Sequence, residues 1–328
     1  MTPSSTGSSS TVSFTRWCIG LFLASIFSLV YLLTPLYILS TLVLLITQYL
    51  NPTLYFYIYV APLIISILVP SKQLTCLANY MTPMLDYFQY EEILETTNEA
   101  LKKLNREDGT NVIMALQPHG VVSFCSMCSW INADPEIRPI QTGVASVLLQ
   151  VPILKNVMGI YGLTAASGSN VRRILQKKTK DIRGSIVLYV GGIAELFKSS
   201  RKEERLYLKS RKGFIKVALR EKGVDIIPVY LFGNTSVLTV IKNKSLEKLS
   251  RSMQVSLTYF WGKWKLPIPR DDKLLYVRGK PLGMPYIPEP TDQDVDKWHG
   301  KYCEEVTRLF NTYKEKVPAY KHKTLYLD

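Results

Sequence analysis

Three histidines occur in this 328-residue chain, at positions 119, 299 and 322. His119 lies in Gln117-Pro118-His119-Gly120, between the apolar run Asn111 to Leu116 and a second apolar run that begins Val121-Val122-Ser123-Phe124. The first run reads as a buried strand, the second as the start of a buried helix. Pro118 removes a backbone donor and disfavours helix in the residue before it, and Gly120 frees the chain to turn, so the pair makes a tight strand-to-helix corner. An imidazole held there can accept and return a proton near neutral pH. A structural turn histidine bonded to nearby backbone fits the same four residues. A second strand, Ser185 to Val190, runs into Gly191-Gly192-Ile193-Ala194-Glu195, where two glycines allow close backbone approach and a carboxylate follows at a helix start. Glu195 can orient His119, stabilise its cation or bind the hydroxyls of an acceptor, and charge compensation at a helix N-terminus is its non-catalytic explanation.

The elements that must position these groups follow from patterning. Residues 72–328 form one domain, large enough for a substantial core. Helix is expected over Glu91 to Asn105, Gly213 to Lys222 and Asp292 to Lys316, and strand over Asn111 to Leu116, Ser185 to Val190, Val224 to Phe232 and Leu274 to Arg278. Thr291 with Asp294 three residues on gives the last helix a capping-box-like start. Alternation of this kind specifies an α/β domain with a mixed, partly parallel sheet flanked by helices. Ligands in such sheets gather at the carboxyl ends of strands, where His119 falls.

Charge divides the chain further. No charged side chain occurs from Trp17 to Ser71, 55 residues flanked by Arg16 and Lys72. That is enough for two membrane limbs joined at Asn51-Pro52. The first, Trp17 to Leu50, is too long for one straight crossing, so Pro35 should kink it or leave part of it in the interface; the second, Leu54 to Val69, is short and contains Pro62. A helical hairpin over residues 16–71 that crosses twice and one that dips in and returns both fit. Either leaves the two termini on one side, and the basic remainder makes that side cytosolic. Residues 1–15 read as a disordered Ser/Thr-rich leader, and the length of the apolar run fits a cleavable signal peptide poorly. Five scattered cysteines argue for a reducing compartment. Cys125 and Cys128 lie one helical turn apart, without the further ligands zinc would need, and packing is the ordinary role for such a pair.

Between Arg172 and Lys222 stand 16 Lys and Arg against 5 Asp and Glu, a net +11 of the chain's +14. A solvated surface explains such a run; beside a membrane hairpin it also suits an anionic leaflet or the phosphates of a nucleotide-bearing substrate. Nucleic acid is not expected, because aromatic residues do not interleave with the basic ones as a stacking platform requires.

Arg211-Lys212-Gly213-Phe214-Ile215-Lys216-Val217-Ala218, Gly223, Ile227-Pro228-Val229-Tyr230 and Phe232-Gly233 together resemble the signature block of the type 2 diacylglycerol acyltransferase family. Pro118-His119-Gly120 is similar to the family's His-Pro-His-Gly element, Gly191-Gly192 with Glu195 to its Gly-Gly-x-x-Glu loop, and Pro290-Thr291 through Tyr313-Lys314 to its closing helix. The resemblance, hairpin included, covers nearly the whole chain. It implies a membrane-anchored acyltransferase of the endoplasmic reticulum, with its catalytic domain and both termini cytosolic and the lipid-droplet surface as a second location. No bound cofactor is expected, and no cluster of ligand residues suggests a metal. Acyl-CoA would be the co-substrate and a neutral lipid acceptor, diacylglycerol, the partner, with a homo-oligomer as a further expectation. His119 would be catalytic, with Gly120, Glu195, Arg211, Lys212, Gly213 and Phe214 in support. Two positions depart from the family pattern: Gln117 stands where a first histidine is common, and Asn234 where a glutamate or glutamine is usual.

The reaction so implied needs a base for the acceptor hydroxyl, donors for an oxyanion and a departing thiolate. His119 would be that base, Glu195 would set its tautomer or position the acceptor, and backbone N–H groups near Gly120 or Gly191 would serve the oxyanion. Arg172, Arg173, Arg211 and Lys212 are candidates for the phosphates of coenzyme A. Monoacylglycerol, a long-chain alcohol or a sterol are alternative acceptors, and a non-catalytic lipid-binding scaffold is the alternative outside enzymology.

Overall fold

A computed structural model describes residues 13–47, 49–177, 179, 181–198, 203–241, 245, 248 and 259–328, without the side chains of Ile193, Ala194 and Lys198. Most of the leader and part of the basic region, Lys178, Lys180, Arg201 and Lys202 among them, lie outside the described residues.

Eleven strands are named in chain order: β1 Glu91–Leu94, β2 Asn111–Gln117, β3 Gln141–Val144, β4 Leu163–Ala165, β5 Ile186–Tyr189, β6 Glu204–Leu206, β7 Val224–Phe232, β8 Thr239–Val240, β9 Phe260–Trp261, β10 Leu275–Arg278 and β11 Leu325–Leu327. Seven of them build one sheet in the order β1-β10-β7-β2-β5-β3-β4. β7, β2, β5, β3 and β4 run parallel, and β10 with its parallel neighbour β1 runs opposite. The central pair, β2 and β7, is buried at every residue. Their alternate side chains feed two cores. Val112, Met114 and Leu116 join Met84, Phe88 and Phe124 on one face, while Ile113 and Ala115 join Ile215, Tyr302 and Phe310 on the other. Burial on both faces is why these strands read as continuous apolar runs without alternation.

The closing helix, Asp292–Tyr313, begins with the expected capping box: Thr291 Oγ1 accepts from the Asp294 N–H at 3.1 Å, and Asp294 accepts from the Thr291 N–H at 3.0 Å. One expectation fails at the opposite edge. Glu91 to Leu94 is strand β1, and the helix there begins only at Asn98, capped by Thr97. The pairing of β1 with β10, nearly two hundred residues away in sequence, overrides local helical patterning.

The apolar N-terminal segment is a helical hairpin of unequal limbs. Its first limb, Phe14–Thr47, is one helix with Pro35 inside it. It is the one helix among the described residues long and apolar enough to cross a membrane. Asn51 caps the second limb, which passes through a π-turn, Phe56–Val60, into the helix Ala61–Leu68. Pro62 cannot donate to the carbonyl of Ile58 four residues before it; the Tyr37 hydroxyl of the first limb donates to that carbonyl instead. Tyr55 returns the link by donating to the Thr41 carbonyl at 2.9 Å. The hairpin is tied to the domain through Gly20, where a Cβ would strike Pro83 and Tyr87, and through Phe27, whose ring meets Tyr161 at 5.4 Å.

Candidate active site

His119 stands at the carboxyl end of β2, after a cis Gln117–Pro118 bond, on a turn that Gly120 completes at φ +66°. An added Cβ at Gly120 would also press on Asn234, so this corner needs glycine for two reasons. Asn234 sits just past the carboxyl end of β7, fully buried, and fixes the corner from the strand next to β2. Its Nδ2 donates to the carbonyls of Pro118 at 3.0 Å and His119 at 2.6 Å, and its Oδ1 accepts from the Cys125 N–H at 3.2 Å. A carboxylate here would face two carbonyl oxygens without a donor. Asparagine at this departure from the family pattern therefore has a positive structural function.

The imidazole is half-buried, its Nδ1 lies 2.8 Å from the Gly120 carbonyl, and its ring packs on Tyr189 at 4.5 Å between centroids. Contact with a carbonyl places the proton on Nδ1 and leaves Nε2 with the lone pair. Burial lowers the imidazole pKa below 6.5 against the pull of that hydrogen bond, so the ring is neutral at pH 7.

Glu195 approaches the backbone of His119 instead of its ring. Its Oε2 accepts the His119 N–H at 3.0 Å, and the Tyr207 N–H also serves the carboxyl. The tautomer-setting function expected of Glu195 thus falls to the Gly120 carbonyl, because the glutamate is spent on the main chain. Burial dominates its titration: the carboxyl is raised from 4.5 to about 8, with the backbone donors and the charge of Arg211 opposing and the charge of Glu204 assisting. The two glycines before it do different things. A Cβ on Gly191 would overlap the Glu195 carboxylate, and Gly192 holds φ +61° with open space around its α-carbon.

Pro118, Gly120, Gly191, Gly192, Glu195 and Asn234 are therefore brought together at His119. Phe214 joins them indirectly. Its ring packs edge-on against Tyr302 at 4.9 Å, and the Tyr302 hydroxyl donates to Gln117 Oε1. Gln117 is fully buried, and its Nε2 has no hydrogen-bond partner among the described residues. Gly213 opens the helix Gly213–Arg220, whose far end feeds β7, so Arg211 and Lys212 lie at the His119 end of the sheet. Arg211 stacks over Tyr207 at 5.0 Å and Lys212 pairs with Asp296 at 2.5 Å. Arg172 and Arg173 are placed elsewhere. Arg172 pairs at 2.7 Å with Glu221, just before β7 begins, and Arg173 bonds Asn170. Both belong to the amino-terminal half of the sheet, because their helix ends against Asn111 at the start of β2.

Several residues here escape sequence reasoning. Glu204 on β6 is buried and pairs with buried Lys323 at 2.9 Å, while Thr235 donates to the same carboxylate at 2.5 Å. Lys323 reaches it because β11, at the end of the chain, pairs with β6. Nothing local marks a lysine two residues before a short terminal strand as buried. His299 is occupied structurally, with Nε2 3.0 Å from the Leu208 carbonyl. Cys125 and Cys128 are fully buried, and burial raises both thiols far above the range of a reactive thiolate.

Among known proteins, the family model described as diacylglycerol acyltransferase matches residues 80–328. The chain belongs to the diacylglycerol acyltransferase family. Among its relatives, diacylglycerol O-acyltransferase 2 of Dictyostelium discoideum is 28% identical over 247 residues, 70% of this chain and 71% of that protein. Human diacylglycerol O-acyltransferase 2 is 27% identical over 226 residues, 63% of this chain and 57% of the human protein. Mouse acyl-CoA wax alcohol acyltransferase 1 is 27% identical over 233 residues, 65% of this chain and 70% of the mouse protein. The match thus spans little more than half of the human relative. No solved structure is detectably similar to the chain. The matched residues include both strand-end loops, and the hairpin precedes them.

Proposed function

We propose that this family member is an acyl-CoA-dependent O-acyltransferase that acylates diacylglycerol to triacylglycerol, with His119 Nε2 as the general base. The observation that carries the reading is the tautomer. Nδ1 is committed to the Gly120 carbonyl, which leaves Nε2 basic, neutral and held by three backbone-anchoring side-chain contacts from Asn234 and Glu195. Nε2 removes the acceptor hydroxyl proton as that oxygen attacks the thioester carbonyl. The tetrahedral oxyanion, met by backbone N–H groups of the Gly120 and Gly191 turns, collapses and expels the coenzyme A thiolate. The thiolate then takes the proton back from the imidazolium, so base and acid are one residue. Such proton transfer is worth about 10² to 10⁴ in rate. Arg211 and Lys212, at a helix N-terminus on the same side, bind the phosphates of coenzyme A.

The hairpin supports a membrane acceptor. Tyr31 of its first limb and Tyr189, the ring against His119, pack on one hydrophobic cluster, so lipid reaches the base from the hairpin side. Arg16 before the hairpin and Lys72 after it favour a cytosolic domain on the endoplasmic reticulum or a lipid-droplet surface. The wax alcohol relative favours a second reading, the same chemistry on a long-chain alcohol. Membranes containing the chain, given labelled acyl-CoA and a panel of acceptors, test both. Label in triacylglycerol supports the first reading, label in wax ester the second, and incorporation no higher than in empty membranes defeats both.

A further inference from the structure

The first limb of the hairpin is far longer than the second, and the excess has to lie somewhere. The Tyr37–Ile58 and Tyr55–Thr41 contacts align the limbs so that the second leaves at Leu68, near the level of Ser28. Phe27 against Tyr161 marks the same level, because Ile160 beside it accepts the Leu74 N–H. From there back to Phe14 the first limb continues for about 20 Å at 1.5 Å per residue. Its inner side packs on the domain, but Ile19, Phe22 and Ile26 point outward and exposed, Phe22 by 64%. No charge interrupts this outer face before Arg16, which pairs with Asp86 at 2.6 Å.

A second apolar element meets the end of that stretch. Lys263-Trp264-Lys265-Leu266 forms a turn closed by the Leu266 N–H on the Lys263 carbonyl at 2.9 Å. Trp264 and Lys265 both hold left-handed conformations, φ 53° and 59°, as in a type I′ turn, a geometry ordinarily left to asparagine and glycine. The turn spends that strain on presenting an indole 69% exposed, with Leu266 beside it 49% exposed. Lys263 fastens the turn to the helix. Its ammonium lies 4.7 Å from the Trp17 ring and 2.8 Å from Asp271, and the Tyr87 hydroxyl donates to Pro269 at 2.5 Å while its ring meets Trp17 at 5.4 Å. An exposed tryptophan flanked by lysines, level with the first charge of a membrane helix, has the composition of a bilayer interface.

We propose that the flank of the domain formed by Ile19, Phe22, Ile26 and the Trp264 turn lies on the bilayer, with Trp264 seated among the lipid headgroups as a second membrane contact besides the hairpin tip. The partner is the lipid surface itself, since the patch is continuous with the lipid-facing side of the hairpin and the cation Lys265, next to the indole in the turn, suits phosphate. This rests on the hairpin being inserted, so the experiment reads the two separately. Full-length protein is reconstituted in phosphatidylcholine–phosphatidylserine vesicles, with or without bromine atoms near the headgroup end of the acyl chains. Flotation after an alkaline wash reports the hairpin. The emission difference between wild type and Trp264→Phe, a conservative change at an exposed side chain, reports the turn. The expected result is flotation of both proteins, with the Trp264-dependent emission lost in brominated vesicles and shielded from aqueous acrylamide. Flotation with that emission unchanged by bromine and open to acrylamide would overturn the proposal and leave the hairpin reading intact. Failure to float would overturn both.

Discussion

Glu195→Gln keeps the shape of the side chain and removes its ionisable proton, which isolates what burial has done to this carboxyl. In the folded protein the group is 1% exposed and titrates at about 8, against 4.5 ordinarily. A raised folded-state pKa means that the native protein holds a proton the unfolded chain releases. The stability it contributes is full below about pH 4.5 and is lost as pH rises through about 8. At about 1.4 kcal/mol per tenfold in proton affinity the whole span is about 5 kcal/mol, of which about 3 kcal/mol disappears between pH 5.5 and pH 8. Glutamine carries no such dependence. The stability difference between wild type and Glu195→Gln should therefore move by about 3 kcal/mol against the wild type over that interval, several degrees in Tm by thermal unfolding in detergent. His119 titrates in both proteins and cancels in the difference. A difference that stays constant with pH would show that the carboxylate is ionised in the native state, and the burial argument would be wrong.

Other consequences follow from the same contacts. Gly191→Ala should abolish acyl transfer and lower Tm, because its Cβ and the Glu195 carboxylate cannot share one position; wild-type activity in membranes would refute the packing described. Asn234→Asp should be worse than Asn234→Ala by thermal unfolding, since alanine leaves two carbonyls and one N–H unserved, at about 1 to 3 kcal/mol each, while aspartate adds repulsion. Lys323→Met should cost about 3 to 5 kcal/mol by stranding the buried Glu204 carboxylate, and adding Glu204→Gln should recover much of it. Activity should decline in acid as Nε2 of His119 protonates, with a midpoint below pH 6.5 in a pH–rate profile.

What the sequence discloses and what it conceals follow a physical division. β2 and β7 are buried on both faces, so their apolar runs announce them, and the capping box of the closing helix is a local device readable from Thr291 and Asp294. The loops bearing His119 and Glu195 are legible because proline and glycine dictate backbone geometry directly. β1 is not legible, since Glu91 to Leu94 becomes strand only against the distant β10. Arg172 illustrates another limit: a count of charge shows how much is present but not which end of the sheet carries it, and its ion pair with Glu221 depends on the fold. The function of Asn234 is likewise tertiary, joining the ends of β2 and β7.

The central claim is that His119 Nε2 removes the acceptor proton, and one measurement reaches it most directly. Transfer of labelled acyl groups from acyl-CoA to diacylglycerol is compared between wild-type and His119→Ala membranes, matched for protein and for thermal unfolding. The rate should fall by about 10² to 10⁴ with folding preserved. A folded His119→Ala protein that makes triacylglycerol at the wild-type rate would contradict the claim.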